Sequence, residues 1–104
     1  MTIKEYVDDV LHVPVTRIGN RYIVEAIELV LDSREHKFYT KLAEILRVNT
    51  HYLEKAMRDA KNAGLLQMST EARTSIFGKA EATTSEYIIR AAEYYRRTYA
   101  DKES

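Results

Sequence analysis

Apolar residues recur at three- and four-residue spacing along most of the chain, the period of helices that bury one stripe. Thr2 and Glu5 have the spacing of a capping box, which predicts a first helix opening at Thr2 with Ile3, Tyr6, Val7, Val10 and Leu11 on one side. Pro14 and Gly19 then bracket a loop. From Asn20 the positions Ile23, Ala26, Ile27, Val30 and Leu31 predict a second helix ending near Ser33. Phe38, Leu42, Ala43, Ile45 and Leu46 mark a third, followed by the short break Arg47-Val48-Asn49-Thr50, where Asn49 or Thr50 is the candidate N-cap. A fourth helix turns Leu53, Ala56, Met57 and Ala60 inward and runs to about Ala63, with Gly64 placed as a left-handed C-terminal cap. Ser69 caps a short fifth helix through Ile76 that Gly78 closes. Thr83 and Glu86 repeat the capping-box spacing before a last helix with Ile88, Ala91, Ala92, Tyr95 and Tyr99 on one face. The polar tail, residues 100–104, is expected to fray.

These elements predict an all-α fold, a compact bundle of about six helices, in a single domain spanning 1–104. Composition agrees: with 45% hydrophobic and 31% charged residues the chain can form a core, and 3 glycines and 1 proline leave few breakpoints. The absence of cysteine excludes disulfides, thiolate metal sites and thiol nucleophiles, and suits the cytoplasm. No apolar run approaches the roughly 18 residues that span a bilayer, so no membrane association is expected.

Net charge is zero, which by itself argues against a nucleic-acid binder, but the charge is unevenly spread. Residues 1–33 hold 3 basic and 6 acidic groups, whereas residues 34–61 hold 7 basic and 4 acidic ones. A phosphate backbone responds to a local patch, because at physiological salt the field is screened within about 8 Å. Charge alone equally fits Lys41, Arg47, Lys55, Arg58 and Lys61 as solvated faces of two surface helices.

The third and fourth helices, about residues 38–63, have the layout of a helix-turn-helix. Ala43 is small enough to let two helices approach, Leu46 and Val48 plug the turn, and Leu53 and Met57 anchor the second helix. His51, Tyr52, Glu54, Lys55, Arg58, Asp59 and Asn62 then lie away from the apolar stripe. Lys55 and Arg58 can donate to guanine O6 and N7, and Glu54 can accept from cytosine N4. Tyr52 or His51 can reach phosphate or a thymine methyl, and Thr50, Lys41 and Asn62 are the further candidates for auxiliary or phosphate contacts. The plainer alternative for Glu54 is an i,i+4 pair with Arg58.

The run Tyr39-Thr-Lys-Leu42-Ala43-Glu-Ile-Leu46, followed by Leu53-Glu54-Lys55-Ala56-Met57-Arg58-Asp59-Ala60, resembles the helix-turn-helix of the effector domain in the stage-zero sporulation protein A family of response regulators. Val13-Pro14 with Gly19, Tyr22 and Glu25-Ala26-Ile27 looks like that family's entry loop and second helix. Ser75-Ile76-Phe77-Gly78 and Thr84-Ser85-Glu86-Tyr87-Ile88 look like its later segments, so the likeness covers roughly residues 11–97. The resemblance implies a six-helix sporulation-type transcription regulator that reads a short operator in double-stranded DNA through the major groove, as a homodimer or tandem pair on adjacent elements. It places Glu54, Lys55 and Arg58 at base-reading positions. Tyr52 stands where the family typically has an arginine and Asp59 where it has a histidine, and the stretch from Gly78 to Thr84 is shorter than the family pattern. The family's phosphoacceptor domain has no counterpart in these residues; Asp8 and Asp9 are better explained as solvated carboxylates. An isolated domain or a protein working without phosphorylation is therefore expected.

Other chemistry finds little footing. His12, His36 and His51 are too scattered for a metal site, no phosphate-binding glycine loop is present, and no nucleophile has a base at suggestive spacing, so no enzyme activity, metal or cofactor is expected. The competing reading is a protein-interaction module: a degenerate effector domain that binds a protein regulator or a DNA-binding homologue without itself reading DNA.

Overall fold

A computed structural model describes residues 1–33 and 37–100. Every regular element among them is helical: α1 (Ile3–Glu5), which runs directly into a π-helical turn (Tyr6–Val10), α2 (Ile18–Ser33), α3 (Tyr39–Leu46), α4 (Thr50–Gln67), α5 (Thr70–Phe77) and α6 (Thr84–Thr98). The fold is thus all-α, a bundle of six helices. His36 and residues 101–104 of the tail lie outside the described residues.

Local signals place most helix starts. Both halves of the two capping boxes form, with Glu5 N donating to Thr2 Oγ1 at 3.1 Å and Glu86 N to Thr83 Oγ1 at 3.2 Å. Asn49 caps α4 and Ser69 caps α5 through side-chain oxygens. Each such cap is worth about 1 kcal/mol. Gly78 ends α5 at φ +82°, a conformation that favours glycine.

Three expectations about helix winding and helix ends are corrected. The first helix changes winding: Leu11 N donates to Tyr6 O, five residues back, and His12 at φ 55° ends the turn. The wider winding still buries Tyr6, Val7 and Leu11. Gly19 does not bound a loop but lies inside the first turn of α2, because the helix begins two residues before Asn20. Gly64 does not end α4, which continues to Gln67. Both glycines serve close approach: a Cβ on Gly19 would run into Ala56 O and lie 2.6 Å from Ala60 Cβ, and one on Gly64 would lie 2.8 Å from Leu11 O.

The core forms where α2 lies against both α4 and α6. Ile23, Ala26 and Ile27 of α2 meet Leu53, Met57 and Ala60 of α4 and Ile88, Ala91 and Ala92 of α6, all buried. Each large aliphatic side chain removed from water contributes roughly 1.5–3 kcal/mol. Phe38 joins this core as the residue preceding α3, whereas Ile45, expected on the apolar stripe, is exposed. Tyr6 Oη donates to Ala91 O at 2.9 Å and Tyr95 Oη to Met1 O at 2.6 Å, fastening the amino-terminal turn to α6. Asp8 is not simply solvated: Lys4 Nζ lies 2.7 Å and Asn20 Nδ2 2.9 Å from its Oδ1, while Asp9 is exposed.

Candidate nucleic-acid interface

Three residues connect α3 to α4. Arg47 adopts a left-handed conformation at φ 58°, so that its N–H reaches Glu44 O and that of Val48 reaches Ala43 O, closing α3. Asn49 then accepts Tyr52 N at 2.7 Å and opens α4. Leu42 and Ala43 on one side and Leu53, Met57 and Ala60 on the other are buried, with Leu46 and Val48 packed against the same core. Both helices are therefore fixed by their inner faces, and the outer face of α4 is left to solvent.

That outer face carries Thr50, His51, Tyr52, Lys55, Arg58, Asp59 and Asn62, all exposed, with Glu54 half-buried among them. Helical spacing aligns His51, Lys55, Arg58 and Asn62 along one line, with Thr50 and Glu54 beside it. Two base-reading candidates are already engaged with each other: Arg58 Nη1 donates to Glu54 Oε2 at 3.1 Å. An exposed pair of this kind is worth about 0.3–0.5 kcal/mol, little enough for a competing ligand to reopen it. Lys41 is exposed on α3, apart from the stripe on α4.

Tyr52 stands at the edge of this face. Its ring lies 6.3 Å from that of Tyr22 at 73°, an edge-on contact to α2, and it lines a groove of about 310 Å³ with Arg17, Ile18, Gly19, Lys55, Ala56 and Asp59. Burial pushes the Tyr22 hydroxyl above its ordinary range, and the neighbouring Tyr52 adds to it. Arg17 and Ile18, which pattern reading passed over as loop, thereby flank the α4 face. Ile18 opens α2 two residues earlier than expected, and Arg17 is the loop residue just before it.

Two further residues change the picture. Lys61, counted from sequence with the exposed basic face, is buried: its ammonium donates to Ala82 O at 3.2 Å, tying α4 to the segment before α6. The patch loses one cation by this. Tyr39 sits half-buried behind Glu54; burial pushes its hydroxyl up against the opposing effect of Ser85, and the Glu54 carboxylate adds to the push. No sequence signal distinguished Tyr39 from any other aromatic on an apolar face. Among the described residues no three His, Cys, Asp or Glu side chains gather as a metal site, and no helix is long and apolar enough to cross a membrane.

Compared with known proteins, the chain matches no family model and no curated sequence.

Proposed function

We propose that the protein is a sequence-specific regulator of transcription that binds double-stranded DNA, with α4 entering the major groove. One observation carries this reading: the exposed line His51, Lys55, Arg58 and Asn62 on a helix anchored from behind and introduced by a three-residue turn. Lys55 and Arg58 offer donors to guanine, Glu54 offers an acceptor to cytosine once Arg58 leaves it, and Thr50, His51, Tyr52, Lys41 and Asn62 supply auxiliary or phosphate contacts. The resemblance to the sporulation effector domain supports the same assignment and a homodimer or tandem pair on DNA, and the absence of cysteine suits a cytoplasmic location. No enzyme activity and no cofactor enter the proposal.

A second reading has its own observation. Val15, Ile18 and Tyr52 are large apolar side chains left exposed at 65%, 49% and 49%, the latter two lining the groove beside α4. A protein regulator docking there would use α4 without DNA.

Fluorescence anisotropy with an operator of the family type, against shuffled duplex and across salt, separates the two. Arg58→Ala and Lys55→Ala should each cost about 1–3 kcal/mol in binding and relax preference at one base position. Unchanged affinity and preference in both variants would remove the base-reading assignment. A stable complex with a homologous regulator, together with no DNA binding at low salt, would favour the interaction module.

A further inference from the structure

Apart from the outer face of α4, α2 presents a charged stripe of its own to solvent. Its inner side buries Ile23, Ala26, Ile27 and Val30, while Arg21, Glu28 and Asp32 are exposed and Glu25 is half-buried. At about 100° per residue these four charged side chains, with Arg17 just before the helix, fall within roughly 80° of one another. Along the stripe the charges are sorted, with cations at the amino-terminal end and three carboxylates following. Ile18, 49% exposed, and the partly buried Leu29 border one edge of it.

This order runs against the helix itself. The macrodipole favours carboxylates near the amino-terminal end and cations near the other, yet α2 has no acidic group in its first turn and no basic one in its last. The carboxylates also crowd one another. Partial burial, with the charges of Glu25 and Asp32, holds the Glu28 carboxyl above its ordinary range. Arg21, its side chain 68% exposed, meets Glu25 Oε1 at 3.9 Å, whereas Glu28 and Asp32 have no ion-pair partner among the described residues.

A second α2 laid antiparallel relieves both faults. Arg17 and Asp32 are symmetric about the midpoint between Val24 and Glu25, and so are Arg21 and Glu28. One register therefore sets each cation opposite a carboxylate, twice over by the two-fold symmetry, and opposes the two dipoles. Glu25 falls next to the axis and keeps Arg21 of its own chain. We propose that this face of α2 is the contact between two copies of the chain, packed antiparallel about a two-fold axis, with Arg21 meeting the partner's Glu28 and Arg17 the partner's Asp32. Ile18 and Leu29 add apolar contact at the edge. A single helix pair is small beside the roughly 1,200–2,000 Å² of stable interfaces, and exposed ion pairs set orientation more than affinity, so the dimer is weak and salt-sensitive. The contact forms without DNA and does not rest on what α4 binds.

Sedimentation velocity of the full chain without DNA, from micromolar to millimolar concentration and at low and high salt, tests it. A monomer–dimer equilibrium that weakens with salt is expected. Arg21→Glu and Glu28→Arg each set like charges opposite one another at both symmetric positions, and each should weaken the dimer about tenfold or more. Both positions are exposed, Arg21→Glu suits the helix's first turn and Glu28→Arg relieves the carboxylate crowding, so both chains should fold, which circular dichroism checks. An equimolar mixture of the two variants should form a heterodimer, because each supplies the charge that the other lacks, and a chain carrying both substitutions should dimerise again. A wild-type chain that stays monomeric throughout at low salt would overturn the proposal. So would a dimer that neither variant weakens, a mixture that does not associate, or growth beyond the dimer, which marks a head-to-tail contact.

Discussion

Asn20 organises the amino-terminal end of the molecule through one buried amide. At 2% exposure it donates to Val13 O at 3.0 Å and Asp8 Oδ1 at 2.9 Å and accepts from Lys4 Nζ at 3.0 Å. Nothing in the hydrophobic pattern singles it out, since a polar residue in a helix's first turn is ordinarily solvated. Asn20→Ala should therefore cost about 1–3 kcal/mol, because it strands a buried carbonyl and loosens the Asp8 pair. Urea unfolding at neutral pH measures this. Burial alone would raise the Asp8 carboxyl, yet the hydrogen bonds from Lys4 and Asn20 outweigh it and leave it below its ordinary 3.8. A depressed carboxyl stabilises the fold above its unfolded value, and the contribution is lost as pH falls through the folded one. Stability should accordingly drop below about pH 4, and Asp8→Asn should make that decline shallower. A variant with an unchanged acid limb would show that Asp8 is not its source.

Among elements, legibility followed locality. Caps at Thr2, Asn49, Ser69 and Thr83 were readable because a cap is a bond between residues three apart. The glycines were misread because a glycine near a helix end fits a left-handed cap and a close helix contact equally well, and only the partner decides between them. At Gly19 that partner is α4, more than thirty residues away in sequence, and at Gly64 it is the entry loop at Leu11 and Val13. Conversely, α3 and the first turn end in left-handed Arg47 and His12, so no glycine marked those ends. Ala43 is buried as read, and α2 also closes on α4, at Gly19. Helix propensity alone would make Gly19→Ala and Gly64→Ala stabilising by about 1 kcal/mol. Packing predicts the opposite sign, a loss of about 1–3 kcal/mol each, since backbone oxygens must move. Thermal unfolding of the two variants separates the explanations, and a gain in stability at either position would refute close packing there.

At the scale of the whole molecule, zero net charge is a balance of unlike regions: an acidic first third against a basic middle that includes α3 and α4. The charges were legible in sequence, but their availability was not, because Lys61 is spent inside the fold and Arg58 is paired with Glu54. Arg17 partly offsets this from a segment read as loop, standing beside Lys55 across the groove. If α4 enters the major groove, Lys37, Lys41 and Arg47 in or beside the motif and Arg17 across the groove are exposed cations left for phosphate once Lys55 and Arg58 read bases. Neutralising about three to four phosphates gives a slope of log affinity against log salt of about −3 to −4. Affinity should then fall about a hundredfold between about 50 and 200 mM salt, less steeply than for a broadly basic binder. Two copies on adjacent elements would nearly double the slope, as each brings its own phosphate contacts. Anisotropy titrations at several salt concentrations measure it, on single and on tandem operator elements. A slope near zero on both would mean that the basic segment meets no phosphate, and the exposed apolar flank at Ile18 and Tyr52 would then be the better guide to what α4 binds.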